Sequence, residues 1–171
     1  MKINKTNAMR ALDNAGIPYT VHAYPHGKEA VDGAEVARLL GQDPDAVFKT
    51  LITQSNTGEY LVFMLPVNAV LDLKKAARAA NAKHTEMIHV KDITKVSGYV
   101  RGGCSPLAMK KSYRTFIEET ALLFDTICFS GGKIGVQIEM DPQALIDLMH
   151  IIPCDLTQDN AWAVQAQIRG S

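Results

Sequence analysis

The chain has 171 residues, of which 47% are hydrophobic and 21% charged, and its 18 basic and 18 acidic side chains leave no formal net charge. This length suits one domain whose core needs neither disulfides nor metal ions, and the composition is typical of a soluble globular protein. The most apolar stretch, residues 60–67, is too short to cross a membrane, and the first residues lack the apolar segment of a signal peptide. The three cysteines (Cys104, Cys128 and Cys154) show no paired spacing, so we expect reduced thiols and a cytoplasmic location.

Helical spacing and capping residues predict helices at residues 6–15, 32–41, 73–80, 90–96 and 141–148. Strand patterns predict strands at residues 19–24, 47–54, 60–65, 85–87, 114–118, 126–129 and 134–140. The irregular alternation favours an α/β fold with a mixed sheet and peripheral helices over a doubly wound sheet. We expect residues 1–156 to form a single domain, and residues 157–171, which contain Trp162, to form a tail that is either a docked helix or a loose end.

The neutral total conceals an uneven distribution of charge. Residues 73–117 contain ten Lys or Arg against Glu86 and Asp92, a net charge of +8, so the rest of the chain carries −8. Such a segment is either a phosphate-contacting face or a solvated helix face, and the sequence supports both interpretations equally. Because a neutral chain holds nucleic acid weakly, we expect only modest affinity for a nucleic-acid ligand, which a helper protein could supplement.

Two glycine-rich loops and one lysine are the candidate site. The loops are Gly102-Gly103-Cys104-Ser105-Pro106 and Ser130-Gly131-Gly132-Lys133, and the lysine is Lys49, within a predicted strand. Paired glycines allow close approach to a backbone, and a lysine among apolar neighbours either reaches solvent or serves a ligand. Together they predict a site of backbone donors and one cation, for a substrate with carbonyl or phosphate oxygens. Lys49 could act there as a base or as a cation that holds an oxygen, whereas a lysine extending to solvent from a sheet edge is the structural alternative.

Other chemistries have weaker support. His22 and His26 are separated by a strand and a turn, so they do not share a helical face, and neither a metal nor a cofactor is expected. Cys104, Ser105 and Ser130 are formal candidates for a nucleophile, but no local histidine activates them. A small side chain that fills a tight loop is the favoured interpretation of Cys104, and loop hydrogen bonding or ligand orientation that of the serines.

Six segments in this order resemble the YbaK family of aminoacyl-tRNA deacylases, in particular the type that hydrolyses Cys-tRNA(Pro). The resemblance runs from about residue 6 to residue 148. The segments are Phe48-Lys49-Thr50-Leu51, Leu71-Asp72-Leu73-Lys74-Lys75-Ala76-Ala77, Gly98-Tyr99, Gly102-Gly103-Cys104-Ser105-Pro106-Leu107, Lys110-Lys111 and Ser130-Gly131-Gly132-Lys133.

The resemblance implies a fold and an activity. The fold is a single editing domain with a mixed, partly closed sheet or barrel surrounded by helices. The activity is trans-editing, in which cysteine is removed from mischarged Cys-tRNA(Pro), with prolyl-tRNA synthetase as a partner in a ternary complex and with no membrane. The family's proposed mechanism lets the substrate thiol attack its own carbonyl and release a thiolactone. Preference for another small amino acid, Ala or Ser, and a non-catalytic module that binds tRNA or a synthetase remain the alternatives.

The resemblance also assigns roles to residues of this chain. Lys49 is implied as the essential catalytic lysine. The implied substrate-binding residues are Tyr24, Thr50, Gly102, Gly103, Ser105, Pro106, Ser130, Gly131 and Gly132. Cys104 stands where an aliphatic residue is expected in this family.

Overall fold

The computed structural model describes residues 3–158. Its α-helices are α1 (Asn7–Ala15), α2 (Gly33–Leu39), α3 (Leu73–Ala79), α4 (Ile93–Ser97) and α5 (Pro142–Met149). Its strands are β1 (Thr20–Ala23), β2 (Phe48–Ser55), β3 (Tyr60–Pro66), β4 (Thr85–Met87), β5 (Arg114–Glu118), β6 (Ile127–Ser130), β7 (Val136–Met140) and β8 (Ile152–Cys154). Short 3₁₀ turns lie at Pro44–Ala46, Val90–Asp92 and Glu119–Leu123. In the described part of the chain, no helix is long and apolar enough to span a membrane.

The strands form two sheets that adjoin at one point. Five strands follow the order β4-β2-β3-β5-β8, in which β3 pairs with β5, and β5 with β8, in parallel. The smaller sheet is antiparallel, with the order β1-β7-β6. A parallel bridge between Val47 and Cys128 joins the start of β2 to β6, so the sheets form a partly closed structure. The predicted mixed α/β fold is confirmed.

The central strand β3 is buried on both faces. Leu61 and Phe63 pack below α3, against its buried alanines, and the Phe63 ring stacks on Phe116 with centroids 5.2 Å apart. On the opposite face, Met64 joins the cluster that packs under α1 and α5. A strand buried on both faces reads as a continuous apolar run, as residues 60–65 do.

Local signals determine most element ends. Thr6 accepts a hydrogen bond from the N–H of Met9 and begins α1, and Gly16 ends it with φ 70°. Asp72 and Asp141 cap α3 and α5 through bonds to helix N–H groups. Asp32 precedes α2 as predicted, but its side chain makes no capping hydrogen bond.

The structure differs from the sequence predictions in several elements, such as the helix predicted at residues 90–96, which is a 3₁₀ turn at Val90–Asp92 followed by α4. The strand predicted from residue 134 begins at Val136, because Gly135 turns with φ 94°. Strand β8 was not predicted: its three residues include Pro153 and depend on parallel pairing with β5.

Of the predicted tail, only Thr157 and Gln158 lie within the described residues, and Thr157 forms a bridge with Leu71. Trp162 lies outside them.

Candidate active site

Lys49 is held at the start of β2 by two backbone carbonyl groups. Its Nζ donates to the carbonyl oxygen of Ala69 at 2.7 Å and to that of Val67 at 3.3 Å. Burial lowers the pKa of Lys49, and the negative charge of Asp32 opposes that shift. Carbonyl acceptors and a nearby carboxylate both favour the ammonium form. The geometry therefore suits a fixed cation better than a neutral base.

The two glycine loops, which are distant in sequence, pack directly on each other. A methyl group built on Gly103 would lie 2.8 Å from the Cα of Lys133, closer than a real Cβ approaches. Gly132 lies against the ring of Tyr99, whose hydroxyl donates to the carbonyl of Leu107 at the end of the first loop. These glycines are therefore needed for the approach of one loop to another.

Serine side chains stabilise each loop from within. Ser105 is fully buried, and its Oγ accepts a hydrogen bond from the N–H of Leu107 at 3.3 Å. Ser130 Oγ accepts from the N–H of Gly132 at 3.2 Å. In addition, the Thr6 hydroxyl donates to the carbonyl of Gly131 at 2.5 Å, so the start of α1 supports the second loop. Among the described residues, no histidine bonds to either serine.

The connection between β1 and α2, residues 24–32, links the glycine loops to the lysine. The N–H of Tyr24, a buried residue, donates to the carbonyl of Gly135 at 3.0 Å. Ala30 lies against Gly102, where a built methyl group would be 2.5 Å from its Cβ. Asp32 then supplies the charge that acts on Lys49. Apart from Tyr24, the sequence analysis assigned no role in the site to this connection, since no periodicity or motif marks an irregular loop.

Consecutive residues Lys49 and Thr50 project to opposite faces of the sheet. The regular pairing of β2 with β3 places Lys49 on the face that α3 covers, together with Leu51. Thr50 lies on the other face with Ile52, which packs in the same cluster as Cys104 of the first glycine loop. The Oγ1 atom of Thr50 is buried without a hydrogen-bond partner among the described residues. The predicted site residues thus fall on two faces, joined by the β1–α2 connection at the end of the strand.

The cysteine thiols are poorly suited to act as nucleophiles. Burial raises the pKa of Cys104 to about 11, and a hydrogen bond from Ser97 opposes that shift only in part. Burial likewise raises the pKa of Cys128 to about 12. Both groups therefore remain thiols at neutral pH, in agreement with Cys104 as a packing residue.

The histidine contacts are those of structural side chains. His22 pairs with Glu139 across β1 and β7 at 2.7 Å, and His26 lies over Gly135 and contacts the carbonyl of Gly27. In the part of the chain that the structure describes, no group of three or more His, Cys, Asp or Glu side chains is arranged to hold a metal ion.

The chain is similar to known aminoacyl-tRNA editing proteins. A family model described as an aminoacyl-tRNA editing domain matches residues 28–148. A protein of Enterococcus faecalis, provisionally named a Cys-tRNA(Pro)/Cys-tRNA(Cys) deacylase, EbsC, is 41% identical over 144 residues, which cover 84% of this chain and 88% of the relative.

Two solved structures share the fold. One, provisionally described as a trans-editing enzyme for prolyl-tRNA synthetase, has a TM-score of 0.78 at 20% identity and covers 89% of this chain and 95% of its own. The other, the hypothetical protein APE2540, has a TM-score of 0.80 at 19% identity and covers 90% of this chain and 100% of its own.

Proposed function

Because the chain belongs to the aminoacyl-tRNA editing domain family, we propose that it is a deacylase that removes cysteine from mischarged Cys-tRNA(Pro). The observation that carries this proposal is the 41% identity, over most of both chains, to a relative named for cysteine deacylation. Editing of this kind has a physical rationale, since the apolar amino-acid pocket of a synthetase rejects a side chain of similar size only weakly. The name of this relative gives two substrates, Cys-tRNA(Pro) and Cys-tRNA(Cys). The two substrates differ in the tRNA and share the cysteinyl group, which favours an enzyme that recognises the amino acid.

The substrate's own thiol acts as the nucleophile in the proposed mechanism. Its sulfur attacks the cysteinyl carbonyl carbon and forms a cyclic thiolactone; the ester C–O bond breaks, and the terminal ribose oxygen leaves and takes up the proton. This mechanism is supported by the condition of the protein's own candidate nucleophiles. The Cys104 thiol is protonated at neutral pH, and the Ser105 and Ser130 hydroxyls serve their loops. The enzyme's task is then orientation and electrostatic stabilisation.

Lys49 supplies the positive charge in this proposal. An ammonium group held by the Val67 and Ala69 carbonyls keeps its position without reorganisation during the reaction. It stabilises negative charge on the carbonyl oxygen under attack or on the departing ribose oxygen. The glycine loops and Tyr24 position the aminoacyl group and terminal ribose, and Thr50 offers a hydroxyl that has no hydrogen-bond partner among residues 3–158.

Selection of the tRNA is assigned to a ternary complex with prolyl-tRNA synthetase. A chain without net charge gains little non-specific affinity from phosphate neutralisation, so the isolated protein holds tRNA weakly. Strong discrimination in favour of tRNA(Pro) by the isolated protein would contradict this assignment.

The decisive experiment compares deacylation of Cys-tRNA(Pro), Cys-tRNA(Cys), Ala-tRNA(Pro) and Ser-tRNA(Pro). Wild-type protein should remove cysteine from both tRNAs and leave alanine, which has no thiol, in place. Lys49→Ala should lose deacylation and retain tRNA binding. Preferential loss of Ala or Ser would overturn the thiol mechanism, and turnover of none of the four would indicate a binding module.

A further inference from the structure

A groove of about 590 Å³ runs between α3 and β4, separate from the candidate site. Its basic lining residues are Lys74, Arg78, Lys83 and His84, and the remaining lining residues are Leu73, Ala77, Asn81, Ala82 and Thr85. The three formally charged side chains are exposed and come from one helix and from the turn that follows it. The groove is therefore an open channel with small residues between cations.

The charge of this groove is not neutralised within the described structure. None of the nine lining residues is acidic, and Lys74, Arg78 and Lys83 form no ion pair with residues 3–158. The nearby carboxylate of Asp72 accepts hydrogen bonds from the first backbone N–H groups of α3. Three such cations along one groove favour a ligand with several negative charges.

The walls of the groove are held in place by hydrogen bonds to the backbone. The side-chain Oδ1 of Asn56 accepts from the N–H of Lys83 at 3.0 Å, and the backbone N–H of Asn56 donates to the carbonyl of His84 at 3.1 Å. At the end of α3, the N–H of Ala82 donates to the carbonyl of Ala77 at 2.8 Å. These bonds therefore fix the backbone of Lys83 and His84 relative to the end of α3.

The groove and Lys49 lie on the same face of the five-stranded sheet. Lys49 projects toward the face that α3 covers and bonds to Ala69, four residues before α3 begins. Four extended residues and one helical turn place Ala77 within about 20 Å of Ala69. A nucleic-acid strand whose terminal residue sits near Lys49 can therefore reach the groove.

We propose that the α3–β4 groove binds the phosphodiester backbone of the tRNA substrate close to its aminoacylated end. This inference rests on the proposed function for the identity of the RNA. Phosphate contacts of this kind position a nucleic acid without reading its sequence. The groove therefore supplies affinity and register for the substrate and leaves the choice among tRNAs to another partner.

The test uses two triple variants with equal loss of charge. The groove variant carries Lys74→Gln, Arg78→Gln and Lys83→Gln. Its matched control carries Lys91→Gln, Lys95→Gln and Lys111→Gln, which are exposed cations of the same basic segment that do not line the groove. Thermal unfolding establishes that both variants fold. Binding of uncharged tRNA(Pro) is then measured across salt concentrations, beginning at low ionic strength.

The groove variant should bind uncharged tRNA at least about tenfold more weakly than the control, with a salt dependence shallower by about three phosphate contacts. For Cys-tRNA(Pro), its KM should rise with kcat nearly unchanged, whereas cleavage of cysteinyl-adenosine, which lacks the phosphodiester backbone, should equal that of wild type. Equal binding by the two variants, or greater loss in the control, would overturn the groove proposal. Failure of wild-type protein to cleave either ester would overturn the deacylase proposal, while the binding measurement would still decide the role of the groove.

Discussion

The α-carbon of Gly103 lies against the backbone of Lys133, so the two glycine loops form one packed unit. Because the close neighbours are backbone atoms, a side chain at position 103 cannot be accommodated by a rotamer change. The relationship makes Gly103 a sensitive position for the whole candidate site.

We predict that Gly103→Ala separates the two loops. Forced overpacking of this kind costs about 1 to 3 kcal/mol of stability, and deacylation should fall at least about tenfold because a displacement of about 1 Å can cost far more in rate. Chemical denaturation and deacylation of Cys-tRNA(Pro) measure both effects. Gly27→Ala is the matched control, since a methyl group there meets nothing within 4 Å. Equal behaviour of the two variants would show that the contact is not required.

The pH dependence of deacylation should report the charge of Lys49. Since burial lowers its pKa, activity that needs the ammonium form should fall as pH rises, with an apparent pKa below the ordinary 10.5. Lys49→Met supplies the background rate of ester hydrolysis to be subtracted at each pH. The substrate thiol also titrates, with a pKa of about 8.5, and its thiolate raises the rate at lower pH, so the charge of Lys49 is assessed from the falling limb above that range. A net rate with no falling limb below pH 10.5 would contradict the need for the ammonium form.

Linkage predicts the corresponding effect on stability. Between the lowered pKa of folded Lys49 and 10.5, the unfolded chain binds more protons, so the contribution of Lys49 to stability rises with pH.

Asp32→Asn removes the negative charge that opposes the lowering of the Lys49 pKa, so the decline in activity should begin at a lower pH than in wild type. Glu29→Gln, which removes an exposed carboxylate from the same connection, should leave the profile unchanged.

Replacement of Cys104 should spare the chemistry. Because its thiol has a pKa of about 11, Cys104→Ala should deacylate Cys-tRNA(Pro) at a rate near that of wild type. Alkylation of Cys104 by iodoacetamide, followed by mass spectrometry, should be slow at neutral pH and accelerate only in strong alkali. Loss of activity in Cys104→Ala, with the fold retained, would support Cys104 as the nucleophile.

Thr50→Val should raise the stability of the protein and weaken its binding of substrate. Removal of a buried hydroxyl that has no partner in the described part of the chain should stabilise the protein by about 1 kcal/mol. If that hydroxyl binds the substrate, as proposed, the KM for Cys-tRNA(Pro) should rise, and Thr50→Ser should retain a KM near that of wild type. Denaturation midpoints and steady-state kinetics measure the two effects. An unchanged KM in Thr50→Val would remove Thr50 from the site.

The sequence by itself determined the local elements of this protein and, through its ordered motifs, its family. Helix caps such as Thr6 and Asp72 bond to N–H groups within three residues, and the continuous apolar run of β3 indicates burial on both faces. Both kinds of signal are local and can be recognised in the sequence. The sequence also singled out Lys49 and the glycine loops, whose roles remain predictions.

Only the tertiary structure decided how these parts meet. The contact of Gly103 with Lys133, the bonds from Lys49 to carbonyls 18 and 20 residues away, and the pairing of β8 with β5 join segments whose separation carries no periodic signal. The same is true of the α3–β4 groove, where part of a basic segment that sequence could not distinguish from a solvated helix face lines a groove of about 590 Å³. The physical reason is that patterning specifies which face of an element is buried, whereas side-chain packing between distant segments decides which residues become neighbours.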